Sequence, residues 1–313
     1  MELRGSNALV LGASGFLGSN LVIALTRAGA RVVAATRSQA PGDEELESAL
    51  ARSEVVRFDL GDPASIARIV PVEGAVFLAA GLSGAVDSLA RAREDLEANG
   101  RGVLNVLEAL RAKKSRARVV FPSSQLVYGR PGTLKEEDPV EPLSLYAVHK
   151  LLGEHHGRVY ERLHGVPFVA LRIANPYGPR QRSSGGAYGL VRFFLDRALS
   201  GGDVPVYGDG TQERGYVHVD DVVQSMLLAA EKGRGTYNVG AAACSVKEMA
   251  EAVVRAAGRG RVVSVPWPEE ALKVEPGSAR LDTSRAEREL GWRATVKLDE
   301  GLRRTVEFLR GKR

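Results

Sequence analysis

Short continuous apolar runs recur along the chain at Asn7–Leu11, Arg31–Ala35, Val55–Phe58, Ala75–Ala80, Arg118–Phe121 and Phe168–Ile173, and each reads as a buried strand. Between them, stretches with apolar positions three and four apart read as amphipathic helices: Ser19–Ala28, Asp43–Arg52, Ser88–Lys113 and Tyr146–Leu163. A further helix ends at Glu231, and Asp282 to Ser284 can cap another before Leu290-Gly291-Trp292. Strands alternating with helices predict an α/β fold, a Rossmann-type doubly wound parallel sheet. After Asn175 the rhythm shortens, and glycine-rich loops at Ser183–Gly189, Gly201-Gly202 and Gly208-Asp209-Gly210 separate smaller elements. This predicts a smaller, discontinuous C-terminal substrate-binding region. The expected division is a dinucleotide-binding domain over residues 1–175, rejoined by a strand and helix in 211–240, and a region over 176–313 that mainly binds substrate.

The first strand runs into Gly12-Ala13-Ser14-Gly15-Phe16-Leu17-Gly18 and then a helix and a second strand. Small residues in such a turn let backbone approach a pyrophosphate, and the helix N-terminus offers N–H groups and a favourable dipole. The turn therefore reads as a dinucleotide site formed by Gly12, Ser14, Gly15, Phe16, Leu17 and Gly18. A carboxylate at the end of the second strand would bind ribose hydroxyls and disfavour a 2′-phosphate. Thr36-Arg37-Ser38 stands there instead, which favours NADP over NAD, with Arg37 facing the phosphate. Asp59-Leu60 is expected at the adenine edge, and the small residues Ala79-Ala80-Gly81 let cofactor lie across the sheet. Asn99 either braces a neighbouring strand or faces the cofactor.

Tyr146 and Lys150 are four residues apart, so on a helix they share one face with Cβ atoms roughly 5–6 Å apart. An ammonium there stabilises a phenolate and draws the tyrosine pKa down from about 10. Alone, this spacing is ordinary. Ser124 at the end of the fifth strand adds a hydroxyl on the sheet edge where ligands of such folds bind.

The 313 residues are 44% apolar and 26% charged, the balance of a soluble globular protein. No apolar run approaches the roughly 18 residues of a membrane span, so no membrane partner is expected. The start, Met1-Glu2-Leu3-Arg4-Gly5, reads as having no signal peptide, and the single Cys244 excludes an internal disulfide. Both fit the cytoplasm. The net charge of +5 is spread along the chain and accompanies no nucleic-acid motif; Arg310-Gly311-Lys312-Arg313 reads as a frayed end. His155 and His156 diverge by about 100° on a helix and make poor joint ligands, so no metal site is expected.

In their order, these pieces resemble the extended short-chain dehydrogenases/reductases of the nucleotide-sugar epimerase/dehydratase group, over nearly the whole chain. Gly12, Gly15 and Gly18 resemble that family's glycine motif, and Asp59-Leu60 its adenine contact. Asn99 opens a run, Asn-Gly-Arg-Gly-Val-Leu-Asn-Val-Leu-Glu, similar to the family's dimer-helix signature. Ser124, four residues before Tyr128, resembles its catalytic Ser/Thr, and Tyr146 with Lys150 its Tyr-x-x-x-Lys. Arg172, Asn175 and Tyr177-Gly178-Pro179 resemble the loop whose asparagine contacts the substrate pyrophosphate. Arg214, His218 and Asp220-Asp221 resemble the segment whose arginine binds nucleotide phosphates.

The resemblance implies catalysis by Ser124, Tyr146 and Lys150, a nucleotide-sugar substrate held by Ser124, Gln125, Asn175, Arg214 and Arg280, and a homodimer through a four-helix interface of 88–113 and 146–163. It implies a UDP-sugar 4-epimerase most directly, with an NADPH-dependent 4-keto-sugar reductase as the alternative and a decarboxylase or cofactor-binding regulator behind. A dehydratase of this group would carry Asp-Glu after the Ser/Thr, where Gln125-Leu126 stands. Near the C-terminus many relatives carry Arg-Pro-Gly-Asp, whereas this chain has Glu275-Pro276-Gly277-Ser278, with Arg280 as the one nearby replacement cation.

Overall fold

The computed structural model describes residues 4–37, 43–183, 189–241 and 243–311. The expected loop over 184–188, Ser38, the first three residues and the last two lie outside them. Seven strands form one parallel sheet: β1 (Asn7–Leu11), β2 (Arg31–Thr36), β3 (Glu54–Arg57), β4 (Ala75–Leu78), β5 (Arg118–Ser124), β6 (Phe168–Ile173) and β7 (Gly235–Val239). Their spatial order is β7-β6-β5-β4-β1-β2-β3, all parallel. The order reverses between β1 and β4, which opens a crevice beyond their carboxyl ends, where a doubly wound sheet binds ligands.

Helices cover both faces because the strands are apolar on both sides. One core packs Phe16–Arg27 and Val219–Lys232 under β1, β2, β6 and β7, and Trp292 closes it from the C-terminal region. The other core packs Gly102–Ala112 against β1, β4 and β5. A third core, built from Leu190–Leu199, Val246–Ala257 and Leu298–Gly311, belongs to a smaller lobe above the sheet edge. Two short sheets tie the lobe down. Glu213–His218 lies between Ala243–Ser245 and Ala279–Leu281, and also pairs with Asn175–Tyr177, the continuation of β6. Asp203–Tyr207 pairs with Arg261–Val265.

The helix expected over 88–113 is not continuous. Asp87–Ala90 and Ala92–Asp95 precede a π-helical turn, Leu96–Arg101, before Gly102–Ala112. Within the π-helical turn the Asn99 side-chain amide donates to the Leu82 carbonyl at 3.0 Å, and Gly100 lets the neighbouring helix come close, since a Cβ there would lie 3.1 Å from Leu152. β5 runs three residues further than expected, through Pro122 to Ser124. Its ladder with β4 ends at Val120, so the missing proline N–H costs no bond on that side. Among the described residues no helix is long and apolar enough to cross a membrane, and no three His, Cys, Asp or Glu side chains converge as metal donors.

Helix Leu145–His164 is fastened to the sheet by Glu154, which has no exposed surface. Its carboxylate accepts from Arg172 Nε at 3.0 Å and Nη2 at 2.8 Å, from Ser123 Oγ at 2.6 Å and from Arg158 Nη2 at 3.2 Å. Burial works against the Arg172 charge, but Glu154 more than offsets it and holds the guanidinium proton more tightly than usual. Removing one partner of such a pair strands the other charge, so Glu154→Leu is expected to lower stability by about 3–5 kcal/mol. Urea unfolding measures this, and a loss below about 1 kcal/mol would contradict it.

Candidate active site

A cavity of about 1010 Å³ occupies the crevice between sheet and lobe. The glycine turn forms its floor. Gly12 has φ +90°, and a Cβ there would lie 2.6 Å from the Ala80 nitrogen, so only glycine lets β1 and β4 come this close. A Cβ on Gly18 would collide with the Gly12 carbonyl. Helix Phe16–Arg27 starts without a side-chain cap and without an acidic residue in its first turn. Its leading N–H groups and positive dipole end therefore stay available to an anion. This bare helix start beneath a glycine cradle suits a dinucleotide pyrophosphate.

Most of the expected cofactor residues meet here. Gly12, Ser14, Gly15, Phe16, Leu17, Arg37, Asp59, Leu60, Ala79, Ala80 and Gly81 all line the cavity. Thr36 donates its hydroxyl to Ser14 Oγ at 2.8 Å, beside Arg37. Asp59 orders its own turn by accepting from the Gly61 N–H at 2.8 Å. Gly18 and Asn99 stand just behind the wall. Asn99 braces the loop after β4, and its buried Oδ1, which has no hydrogen-bond partner, lies where a Cβ on Gly81 would come to 2.5 Å.

At the other end of the cavity Ser124, Tyr146 and Lys150 converge. Ser144 caps helix Leu145–His164 by accepting from the Ala147 N–H, and the helix ends at Gly165 with φ +67°. The cap places Tyr146 and Lys150 on the turn that faces β5. Lys150 Nζ donates to the Pro122 carbonyl at 2.9 Å and lies 5.8 Å from the Tyr146 ring centre. Burial pushes the Lys150 ammonium down to about 8, and the charge of Asp95 opposes that fall. Ser124 is buried at the strand end, with Oγ accepting from the Leu126 N–H at 3.2 Å. Together these supply a phenol, a nearby cation and a hydroxyl at one place, the equipment for moving a proton on and off a substrate oxygen.

The expected substrate residues divide. Gln125 and Asn175 line the cavity. Gln125 Oε1 is buried without a hydrogen-bond partner, and Asn175 donates to the Gly215 carbonyl at 2.9 Å. Arg214 and Arg280 are not among the lining residues. Arg214 is pinned by the Glu275 carboxylate and by the carbonyls of Gly277 and Glu213, and Arg280 pairs at the surface with Glu213 at 2.7 Å. Glu275, standing in place of an arginine, thus meets the very cation expected to face phosphate. Sequence reasoning overlooked Arg182, which reaches from the lobe to donate to the Ser14 carbonyl at 3.2 Å and lines the cavity. Its place two residues beyond Arg180, the end of the Asn-Pro-Tyr-Gly-Pro-Arg loop, was the available signal.

Comparison with known proteins follows the same lines. The family model described as NAD dependent epimerase/dehydratase family matches residues 8–240. A UDP-glucose 4-epimerase of Mycolicibacterium smegmatis is 34% identical over 316 residues, covering 97% of this chain and 98% of that protein. The structure of the Thermus thermophilus UDP-glucose 4-epimerase with NAD superposes with a TM-score of 0.87 at 32% identity, covering 97% of this chain and 99% of that one. The Thermotoga maritima UDP-glucose 4-epimerase with UDP-glucose gives 0.88 at 29% identity, covering 98% and 99%.

Proposed function

The chain belongs to the NAD-dependent epimerase/dehydratase family, an extended short-chain dehydrogenase/reductase, and from that premise we propose that it is a nucleotide-sugar 4-epimerase acting on a UDP-sugar. The observation that carries the reading is the convergence of Ser124, Tyr146 and Lys150 on the cavity whose floor is the glycine turn. When bound, the nicotinamide supplies a hydride acceptor and donor beside the sugar. Tyr146, as phenolate, takes the proton from the sugar 4-hydroxyl and later returns it. Lys150, as ammonium, stabilises that phenolate, and Ser124 donates a hydrogen bond to the same sugar oxygen as it becomes a ketone. Epimerisation further needs room for the 4-keto sugar to present its other face, which the cavity of about 1010 Å³ would give it. Gln125 and Leu126 carry no acid or base for removing water, which sets this site apart from a dehydratase.

NADP is the preferred cofactor in this reading. Its support is the absence of a carboxylate at the described end of β2, together with Arg37 there and Arg182 above Ser14. The NAD held by the Thermus relative is the alternative outcome of the test. The protein is further read as a homodimer. Leu89, Leu96, Val148, Val159 and Leu163 are exposed on the segments 87–112 and Leu145–His164, the two helical parts of the expected four-helix interface.

Purified protein incubated with UDP-, GDP-, dTDP- and CDP-sugars and no added reductant is expected to form a 4-epimer at constant nicotinamide absorbance. Tyr146→Phe should keep its cofactor and lose at least about 100-fold in turnover. A requirement for NADPH with a keto-sugar would instead make it a reductase. Arg37→Ala is expected to weaken NADP(H) binding by about tenfold, the scale of one charge-assisted hydrogen bond, and to spare NAD(H); equal loss for both refutes the preference. Sedimentation velocity at micromolar concentration should report a dimer, and a monomer would overturn that reading.

A further inference from the structure

Arg182 and Arg180 are two residues apart and differently employed. The Arg180 guanidinium is fully engaged, donating to both oxygens of Asp43 at 2.8 and 2.7 Å and to the Asn20 side chain at 2.9 Å. Gln181 between them is buried and donates to the Pro176 carbonyl at 3.2 Å, while Arg192 donates to the Gln181 carbonyl. The backbone that leads to Arg182 is therefore gripped from the sheet side and from the lobe. The Arg182 side chain is exposed, and its one hydrogen-bond acceptor among the described residues is the Ser14 carbonyl at 3.2 Å. A guanidinium carries five N–H donors in a fork that fits paired phosphate oxygens. One weak bond to a carbonyl leaves most of that capacity unused.

The place of this contact along the cavity decides what it would meet. From Ser124 to Asp59-Leu60 the strand ends that line the cavity run β5, β4, β1, β2, β3. They carry Ser124, then Ala79 to Gly81, then the glycine turn, then Arg37, then Asp59-Leu60. The glycine turn is the middle of these five. A dinucleotide laid along them crosses that turn at its pyrophosphate, above the uncapped start of helix Phe16–Arg27. Arg182 comes to the same turn from the lobe, so it spans the cavity over that point. A 2′-phosphate would lie one strand further on, at Arg37.

We propose that Arg182 is a clasp on the cofactor: its guanidinium closes over the dinucleotide pyrophosphate from the lobe and slows the cofactor's release. The inference rests on the dinucleotide reading of the glycine turn. A clasp suits the proposed reaction, because an epimerase has to keep one cofactor through both half-reactions.

Release of NADH and of NADPH from the full-length protein tests this, followed by stopped-flow fluorescence against an excess of the oxidised form and with no sugar present. Both should leave Arg182→Ala about tenfold faster than the unsubstituted protein, the scale of one lost charge-assisted hydrogen bond. Arg182→Lys, which keeps the charge without the fork, should fall between the two. UDP, measured by calorimetry, should bind Arg182→Ala as tightly as the unsubstituted protein. Unchanged release of both cofactors overturns the proposal. Faster release of NADPH alone would put Arg182 on the 2′-phosphate, and weaker UDP binding with unchanged release would put it on the sugar nucleotide; either result overturns it too. Binding of neither cofactor by the unsubstituted protein would refute the dinucleotide reading itself and the clasp with it.

Discussion

Glu154, a carboxylate with no exposed surface, joins three parts of the molecule at one point. It projects from the helix that carries Tyr146 and Lys150, meets Arg172 on β6, and takes the hydroxyl of Ser123, the neighbour of Ser124 on β5. Arg172 in turn stacks 4.7 Å over Tyr128, whose hydroxyl donates to Asn238 on β7 at 2.7 Å. The chain of contacts therefore locks one helix, three strands and the turn after Ser124 in a single arrangement. A buried ion pair is not in itself a source of stability, since desolvation offsets most of the attraction. Its value here is geometric. It leaves the helix one rotation against β5, the rotation that turns Tyr146 and Lys150 toward Ser124.

The lobe is held over the sheet by similar devices. Arg180, a non-glycine residue with φ +69°, pairs with Asp43 and Glu45, donates to Asn20 at 2.9 Å and stacks on Phe308 at 5.2 Å. It connects the helix behind the glycine turn with the C-terminal helix. Asp221 accepts from the backbone of Thr295 and Val296 at 3.0 Å each, and its carbonyl takes the Trp292 indole at 2.8 Å. Arg180 thereby ties the lobe to the helix that starts at the glycine turn, and the Asp221 contacts fasten the segment that leads into the C-terminal helix. Two arginines expected to face substrate are instead committed to Glu275 and Glu213.

The sheet was legible in the sequence because a strand buried on both faces leaves a continuous apolar run, and the glycine turn because its spacing stands between such a run and an amphipathic helix. Tyr146 and Lys150 could be placed on one face from spacing alone. What stayed hidden depends on distant partners. Nothing local distinguishes Glu154 from the solvated charges of an amphipathic helix, since its burial comes from a strand 18 residues away. The interruption of the 88–113 helix carried no local signal either: its π-helical turn holds Gly100 close to the helix bearing Leu152 and Asn99 against the Leu82 carbonyl, both partners remote in the chain. Glu275 looked like a lost phosphate ligand, and only the folded chain shows it seated on Arg214.

In the proposed reading Tyr146 moves a proton on and off one sugar oxygen inside the crevice between sheet and lobe. In a 4-epimerase of this kind the hydrogen removed from C4 returns to C4. A UDP-sugar carrying deuterium at C4 measures this most directly, with mass spectrometry of the recovered 4-epimer in ordinary water and without added nicotinamide. The epimer is expected to keep its deuterium at C4. Exchange of that deuterium for solvent hydrogen, with the sugar still inverted, would contradict it.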